Sequence, residues 1–155
     1  MFKKDEYTIK SSEPVHKISK AAQLVGLSVQ MLRLYENEGL IIPFRKGSLH
    51  RKYSEDDIER LRCIREMINK DKISIAGIKR ILALIPCWAL KKCPDDVKRK
   101  CVAFKDYTKP CWMHKLNNLI CESAKCRNCL VYESFSNCSK IKQILNQVDS
   151  LVLEG

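Results

Sequence analysis

Ile18-Ser19-Lys20-Ala21-Ala22-Gln23-Leu24-Val25-Gly26-Leu27-Ser28-Val29-Gln30-Met31-Leu32-Arg33-Leu34-Tyr35-Glu36-Asn37-Glu38-Gly39 is the stretch on which the fold of this 155-residue chain turns. Two sets of helix start and stop signals follow each other inside it. Ser19 predicts the cap of a helix through about Val25, with Ala22 and Val25 on its apolar face and Gly26 as a left-handed stop. Ser28 predicts the cap of a second helix through about Glu38, ended by Gly39. Only Gly26-Leu27 separate the two, which is the short gap of a helix-turn-helix. In that motif the second helix offers its N-terminal residues to base edges in the major groove, and Ser28, Gln30 and Arg33 are short, polar or basic there. Val29, Leu32 and Tyr35 recur every third residue and are predicted to pack inward, with the Tyr35 hydroxyl still able to emerge. The same pattern also suits an ordinary helical hairpin with solvated charges.

Beyond Gly39, an apolar stretch and a basic stretch flank a Gly-Ser turn in Ile41-Ile42-Pro43-Phe44-Arg45-Lys46-Gly47-Ser48-Leu49-His50-Arg51-Lys52-Tyr53. This predicts a short β-hairpin, a basic wing. Ser54 opens a third helix with Asp56 and Asp57 in its dipole-favoured first turn and Ile58, Leu61, Ile64 and Ile68 on one face. Ser74 caps a fourth, in which Ile78, Ile81, Leu82 and Ile85 share a stripe before Pro86. Residues 1–14 are polar and aperiodic, and are expected to form a mobile arm ahead of a DNA-binding domain over 15–86. In the segment 139–155, Ile141, Ile144, Val148 and Leu151 stand at a/d spacing with Leu145 and Val152 beside them. They predict an amphipathic helix, a candidate for dimerisation or for packing on its own chain.

The charge balance narrows the function. Lys and Arg total 29 against 18 Asp and Glu, a net +11 with a pI near 9.3, which calls for a polyanionic partner. The excess is shared almost evenly between the halves on either side of residue 85, so charge alone does not locate a face. No apolar run approaches the roughly 20 residues of a membrane span, and Met1-Phe2-Lys3-Lys4-Asp5-Glu6 lacks a signal-peptide core, so a cytoplasmic location without membrane contact is expected. There is no Ser/His/Asp triad, phosphate loop or dinucleotide fingerprint, and the expectation is that the chain is not an enzyme. An electron-transfer or thiol oxidoreductase would rest on the cysteines alone.

Eight of the nine cysteines lie between 87 and 138, in the order Cys87-x5-Cys93-x7-Cys101-x9-Cys111-x9-Cys121-x4-Cys126-x2-Cys129-x8-Cys138. In a reducing compartment an odd, dense set reads as metal binding rather than as a disulfide framework. Cys126-Arg127-Asn128-Cys129 is the usual two-sulfur clip. Cys121, Cys126 and Cys129 are the foremost ligands because they need the least loop closure, with the other five as further candidates. Pro86-Cys87-Trp88 is echoed by Pro110-Cys111-Trp112, in which the proline fixes a turn and the indole can shield a site or anchor a core. One CxxC does not make a pair of ordinary zinc knuckles, so an iron–sulfur cluster is favoured and zinc is the alternative. Few large aliphatics occur in 87–138, so its order is expected to depend on the metal. Cys63 on the third helix is expected to pack, and His114 to be a solvated surface residue.

The run from Ile18 to Leu84 resembles the DNA-binding domain of MerR-type transcription regulators. The resemblance is carried by Ile18-Ser19-Lys20-Ala21-Ala22, Gly26-Leu27-Ser28, Met31-Leu32-Arg33-Leu34-Tyr35-Glu36, Glu38-Gly39-Leu40-Ile41, Pro43-Phe44-Arg45, His50-Arg51-Lys52-Tyr53-Ser54 and Ile78-Lys79. It implies a winged helix-turn-helix working as a homodimer on palindromic promoter DNA with RNA polymerase at the promoter. Arg33, Tyr35, Arg45, Arg51 and Lys52 would then hold phosphates or base edges, with His50 beside them in the wing. Leu34 stands where the family has an aromatic, and Leu49 replaces a wing glycine. The block from Cys87-Trp88 to Cys129-Leu130-Val131-Tyr132 is similar to a cysteine–tryptophan module of some bacterial signalling proteins, to which Cys138 is additional. The compact CxxCxCx5C loop of iron–sulfur MerR relatives is absent. The resulting expectation is a mainly α chain: a winged helix-turn-helix, a small cysteine-rich metal-stabilised module and a C-terminal helix. Its function would be transcription regulation controlled by a cysteine-ligated centre that senses redox state or oxygen, the alternative being structural zinc with a separate effector.

Overall fold

A computed structural model describes residues 11–46, 50–118 and 120–153, with side chains left undescribed at Lys46 and from Val148 onward. Most of the expected mobile arm, the wing segment Gly47-Ser48-Leu49, and the side chains of Val148, Leu151 and Val152 in the C-terminal stripe lie outside that description.

The chain enters through a two-residue strand, β1 (His16–Lys17), and passes directly into α1 (Ile18–Val25). This corrects the cap expected at Ser19. β1 pairs with the strand that precedes the third helix, His16 opposite Tyr53 and Lys17 opposite Lys52, so the backbone stays extended through Lys17 and helical geometry begins at Ile18. Gly26 ends α1 at φ 73°, and the Gly26 and Leu27 N–H groups donate to Gln23 and Ala22 carbonyls at 3.2 and 2.9 Å, which satisfies the last carbonyls of the helix. α2 (Val29–Asn37) starts where the Ser28 hydroxyl accepts from the Met31 N–H at 3.1 Å.

The wing forms as β2 (Phe44–Lys46) and β3 (His50–Tyr53), antiparallel, with Arg45 opposite Arg51. β3 is the central strand of the three-stranded sheet. α3 (Glu55–Asn69) carries a full capping box, in which the Ser54 hydroxyl accepts from the Asp57 N–H and the Asp57 carboxylate accepts from the Ser54 N–H. α4 (Ile75–Ala83) is capped by Ser74. After Pro86 the elements are short: α5 (Cys87–Leu90), α6 (Asp95–Lys100), α7 (Val102–Lys105), 3-10 turns at Cys111–Met113 and Ser123–Asn128, and α8 (Leu130–Glu133). The final helix, α9 (Cys138–Leu153), forms where the a/d spacing placed it, with Ile141 against the core and Leu145 exposed.

The core crosses the boundary drawn at residue 86. Leu32, Tyr35, Leu40, Ile41, Tyr53, Ile58, Leu61 and Ile64 of the first half form one cluster with Trp112, Val131, Tyr132 and Phe135 of the second. Its centre is polar. Arg60 is 2% exposed. Its guanidinium donates to Asp57 at 2.8 Å and to the Phe135 and Tyr132 carbonyls at 2.6 and 3.1 Å, and lies 3.9 Å from the centre of the Tyr132 ring. Asp57 also accepts from Arg127 at 2.7 Å. Every charge in this cluster has an opposite charge or a carbonyl facing it, the condition under which burial of ions is tolerated.

Two cysteines depart from expectation. Cys138 was a candidate metal ligand, yet it is disulfide-bonded to Cys63, with the two Cα atoms 5.4 Å apart. The first turn of α9 lies directly on α3, so the sulfur of Cys63 meets a partner rather than only apolar neighbours, and Cys138 is not among the free thiols.

Candidate nucleic-acid and thiol sites

The outward side of α2 exposes Gln30, Met31, Arg33 and Leu34. Beside it, Lys17, Ile18, Ser19, Arg33, His50, Arg51 and Lys52 line a depression of about 500 Å³. Four of the expected DNA-contacting residues therefore meet in one basic concavity, with β1 supplying a fifth basic contributor, Lys17, that the sequence reading passed over. Arg45 is exposed on the adjoining strand. Ser28 is exposed too, but its hydroxyl already caps α2.

Tyr35 corrects its expected role. It is 1% exposed and part of the core, and burial raises its phenol pKa against the opposing effect of Arg65. The three-residue spacing with Leu32 had already aimed it inward, and its hydroxyl does not emerge.

Glu36 sits behind the basic residues. Its side chain is 4% exposed, and an Oε2 stands 3.0 Å from Arg51 Nε without the alignment of a hydrogen bond. Burial raises its pKa, and Arg51, Arg45 and Arg33 pull it back down. A carboxyl whose folded pKa is raised contributes most below its unfolded pKa, and the contribution is lost as pH rises through the folded value. Glu36→Gln should therefore raise the melting temperature at pH 7 and lose that advantage as the pH falls through the carboxylate range. A gain of equal size at both ends, measured by melting against pH, would contradict the burial cost.

In the second half the two Pro-Cys-Trp turns bring Cys87 and Cys111 together. The Cys111 thiol hydrogen-bonds the Cys87 sulfur, which holds Cys87 down to about 7, while the same bond, aided by burial, pushes Cys111 up. Cys87, Cys111, Cys121, Cys126 and Cys129 all line one cavity of about 600 Å³, with Lys91 at its edge. Burial pushes Cys121 up to about 11 and raises Cys126. Cys93 is close enough to feel Cys87 and Cys101, although burial is the main reason its pKa rises. Cys93 and Cys101 do not line the cavity. Among the described residues no three His, Cys, Asp or Glu side chains form a group ready to hold an ion.

Both indoles pack against a neighbouring ring, and neither lines the thiol cavity. Trp88 packs edge-on against Phe104 and Trp112 against Tyr132, each at 5.3 Å between ring centres, and Trp112 is a core residue. His114 is not the solvated residue expected. It is 8% exposed, with Nε2 3.5 Å from Asp106, and burial lowers its pKa. Among the described residues no helix is long and apolar enough to cross a membrane.

Comparison with known proteins bears on the first half. A family model described as "MerR HTH family regulatory protein" matches residues 16–85. A heat shock protein named HspR from Streptomyces coelicolor is 43% identical over 82 residues, covering 53% of this chain and 54% of the relative. A heavy metal-dependent transcriptional regulator of Haemophilus influenzae is 42% identical over 92 residues, 59% of this chain and 64% of the relative. The HTH-type transcriptional regulator HmrR of Sinorhizobium medicae is 34% identical over 105 residues, 59% of this chain and 69% of the relative. The chain thus spans little more than half the length of the first and about two thirds of the other two. No solved structure matches. Helix caps, wing, basic concavity and these matches agree on one assignment: the chain belongs to the MerR HTH family of regulatory proteins.

Proposed function

We propose that the chain is a promoter-binding transcription regulator whose DNA affinity or output is set by a thiolate-ligated metal centre, an iron–sulfur cluster, in the cavity of Cys87, Cys111, Cys121, Cys126 and Cys129. The observation that carries this reading is that cavity: five free thiols, from Cys87, from Cys111 and from the stretch Cys121–Cys129, line one volume of about 600 Å³. Thiolates are the ligands that soft metals and iron–sulfur clusters select. A single tetrahedral zinc would draw four sulfurs to within about 4 Å of one another, and a cavity of about 600 Å³ has room for a larger, polynuclear group. Such a cluster supplies sensitivity to oxygen and to redox state. That some relatives are named as heavy metal-dependent regulators supports a metal-responsive role.

On the DNA side, Arg33, His50, Arg51 and Lys52 present donors to phosphates or base edges, and two copies of the chain would read the two halves of a palindrome with RNA polymerase bound alongside. Arg33→Ala or Lys52→Ala should weaken promoter binding and flatten its dependence on salt by about one unit of slope per lost phosphate contact. An unchanged slope in both variants would remove this face from DNA.

The test of the whole reading is anaerobic. Protein reconstituted with ferrous iron and sulfide should bind both, show cluster absorbance, and differ from stripped protein in promoter affinity. Uptake of zinc in place of iron and sulfide, with identical promoter binding in loaded and stripped forms, would leave a structural metal and a separate effector.

A further inference from the structure

The segment between the reading helix α2 and the wing strand β2 is held by residues that neighbour the cavity thiols. Trp112, next to Cys111, donates its indole N–H to the Gly39 carbonyl at 2.8 Å. Arg127, inside the Cys126–Cys129 clip, donates to the Ile42 carbonyl. Tyr132, three residues beyond Cys129, accepts from the Ile42 N–H at 2.8 Å. Gly39 has φ 72°, and a Cβ there would come within 2.7 Å of Met113, so the 3-10 turn of Cys111–Met113 is pressed against the exit of α2. Arg127 has a second hold, two contacts to the Asp57 carboxylate at 2.7 and 3.3 Å.

These contacts have a mechanical consequence. α2 carries Arg33 and β2 carries Arg45, so the backbone of residues 39–42 sets the angle between two DNA-facing elements. That backbone is bonded to the cysteine half at three points, and the side chains of two of them, Trp112 and Arg127, follow the backbone that aims the cavity thiols. We propose that Arg127 and Trp112 are positioning residues that transmit the state of the thiol cavity to the α2–wing junction; this rests on the reading of the cavity as a metal centre. Ligation of Cys126 and Cys129 to one group holds the two residues between them in a single conformation, and with them the guanidinium on Ile42. Release of the sulfurs frees the turn and lets the junction relax. Two states with different contacts at both ends are what thermodynamic coupling between sites requires.

Amide exchange reads the junction directly, independently of transcription. In wild-type protein reconstituted with ferrous iron and sulfide, the Ile42 amide should exchange about tenfold more slowly than in stripped protein, the scale of coupling that such networks carry. Arg127→Met keeps most of the side-chain length and Trp112→Phe keeps an aromatic ring, and each removes the donor. Combined, they should leave iron, sulfide and cluster absorbance unchanged while bringing the loaded and stripped rates within about twofold of each other, below the usual coupling range. Arg127→Lys keeps the charge but lacks the fork that reaches Ile42 and Asp57 together, and should restore less than half of the difference. Loaded and stripped wild type with the same Ile42 rate would overturn the coupling, as would a double variant that keeps the full difference or one that no longer takes up iron and sulfide. Wild type that takes up no metal would instead take down the metal-centre reading, and the coupling with it.

Discussion

Replacing Arg60 with methionine should lower the stability of the whole chain by about 3–5 kcal/mol, the loss typical when one partner of a buried ion pair is removed. Methionine fills much of the volume but returns none of the donors. The Phe135 carbonyl would be left buried without that donor, at about 1–3 kcal/mol, while the Tyr132 carbonyl would keep the Phe135 N–H at 3.1 Å. Asp57 would keep Arg127, which limits the electrostatic part of the loss. For a chain of this size the change corresponds to a fall in melting temperature on the order of 10 °C. Calorimetry on Arg60→Met, Asp57→Asn and the pair together should show a double variant less destabilised than the sum of the singles. A single-variant loss under about 1 kcal/mol, in the range of an exposed pair, would mean that the network is solvated.

The second large effect separates cysteines that the sequence treated alike. Cys111→Ser should abolish most metal uptake, because Cys111 lines the cavity and contacts Cys87. Cys101→Ser should leave uptake near the wild-type value, because Cys101 lies outside the lining. Serine is nearly isosteric with cysteine, but its hydroxyl keeps its proton near neutral pH where a thiol can ionise, so the change removes a ligand with little effect on packing. Iron, sulfide and zinc measured per chain after anaerobic reconstitution decide it. Equal losses in the two variants would mean that the centre is assembled from a different set of thiols from the one facing the cavity.

The helix caps at Ser28, Ser54 and Ser74 and the stop at Gly26 were legible because each is a contact between residues three or four apart, which the sequence writes side by side. The same holds for the wing, whose two strands lie only three residues apart in the sequence. What could not be read is what depends on distant partners. β1 is only two residues long and shows no alternation; it is a strand because Tyr53 and Lys52 offer it an edge. The burial of His114 and the meeting of Cys63 with Cys138 are likewise set by packing across the chain. The cysteine half was legible as a thiol-rich module, and the Pro-Cys-Trp echo does bring Cys87 and Cys111 together. Its reliance on the first half was not, because Tyr132 and Phe135 sit in a segment too short to carry a periodicity, and Arg60 looks like any charged helix residue until its receptors are placed around it.

The buried contact of Arg60 with Tyr132 and Phe135 also limits how this protein can be rebuilt from pieces. A chimera that moves residues 87–138 onto another helix-turn-helix would bring Val131, Tyr132 and Phe135 with no complementary groove, and two carbonyls with no guanidinium to receive them. Besides that groove, a host would need an arginine and an aspartate at the positions of Arg60 and Asp57, three residues apart on its third helix. The transferable unit is therefore the module together with that groove and pair, and a sensor exchanged between regulators without them should arrive misfolded.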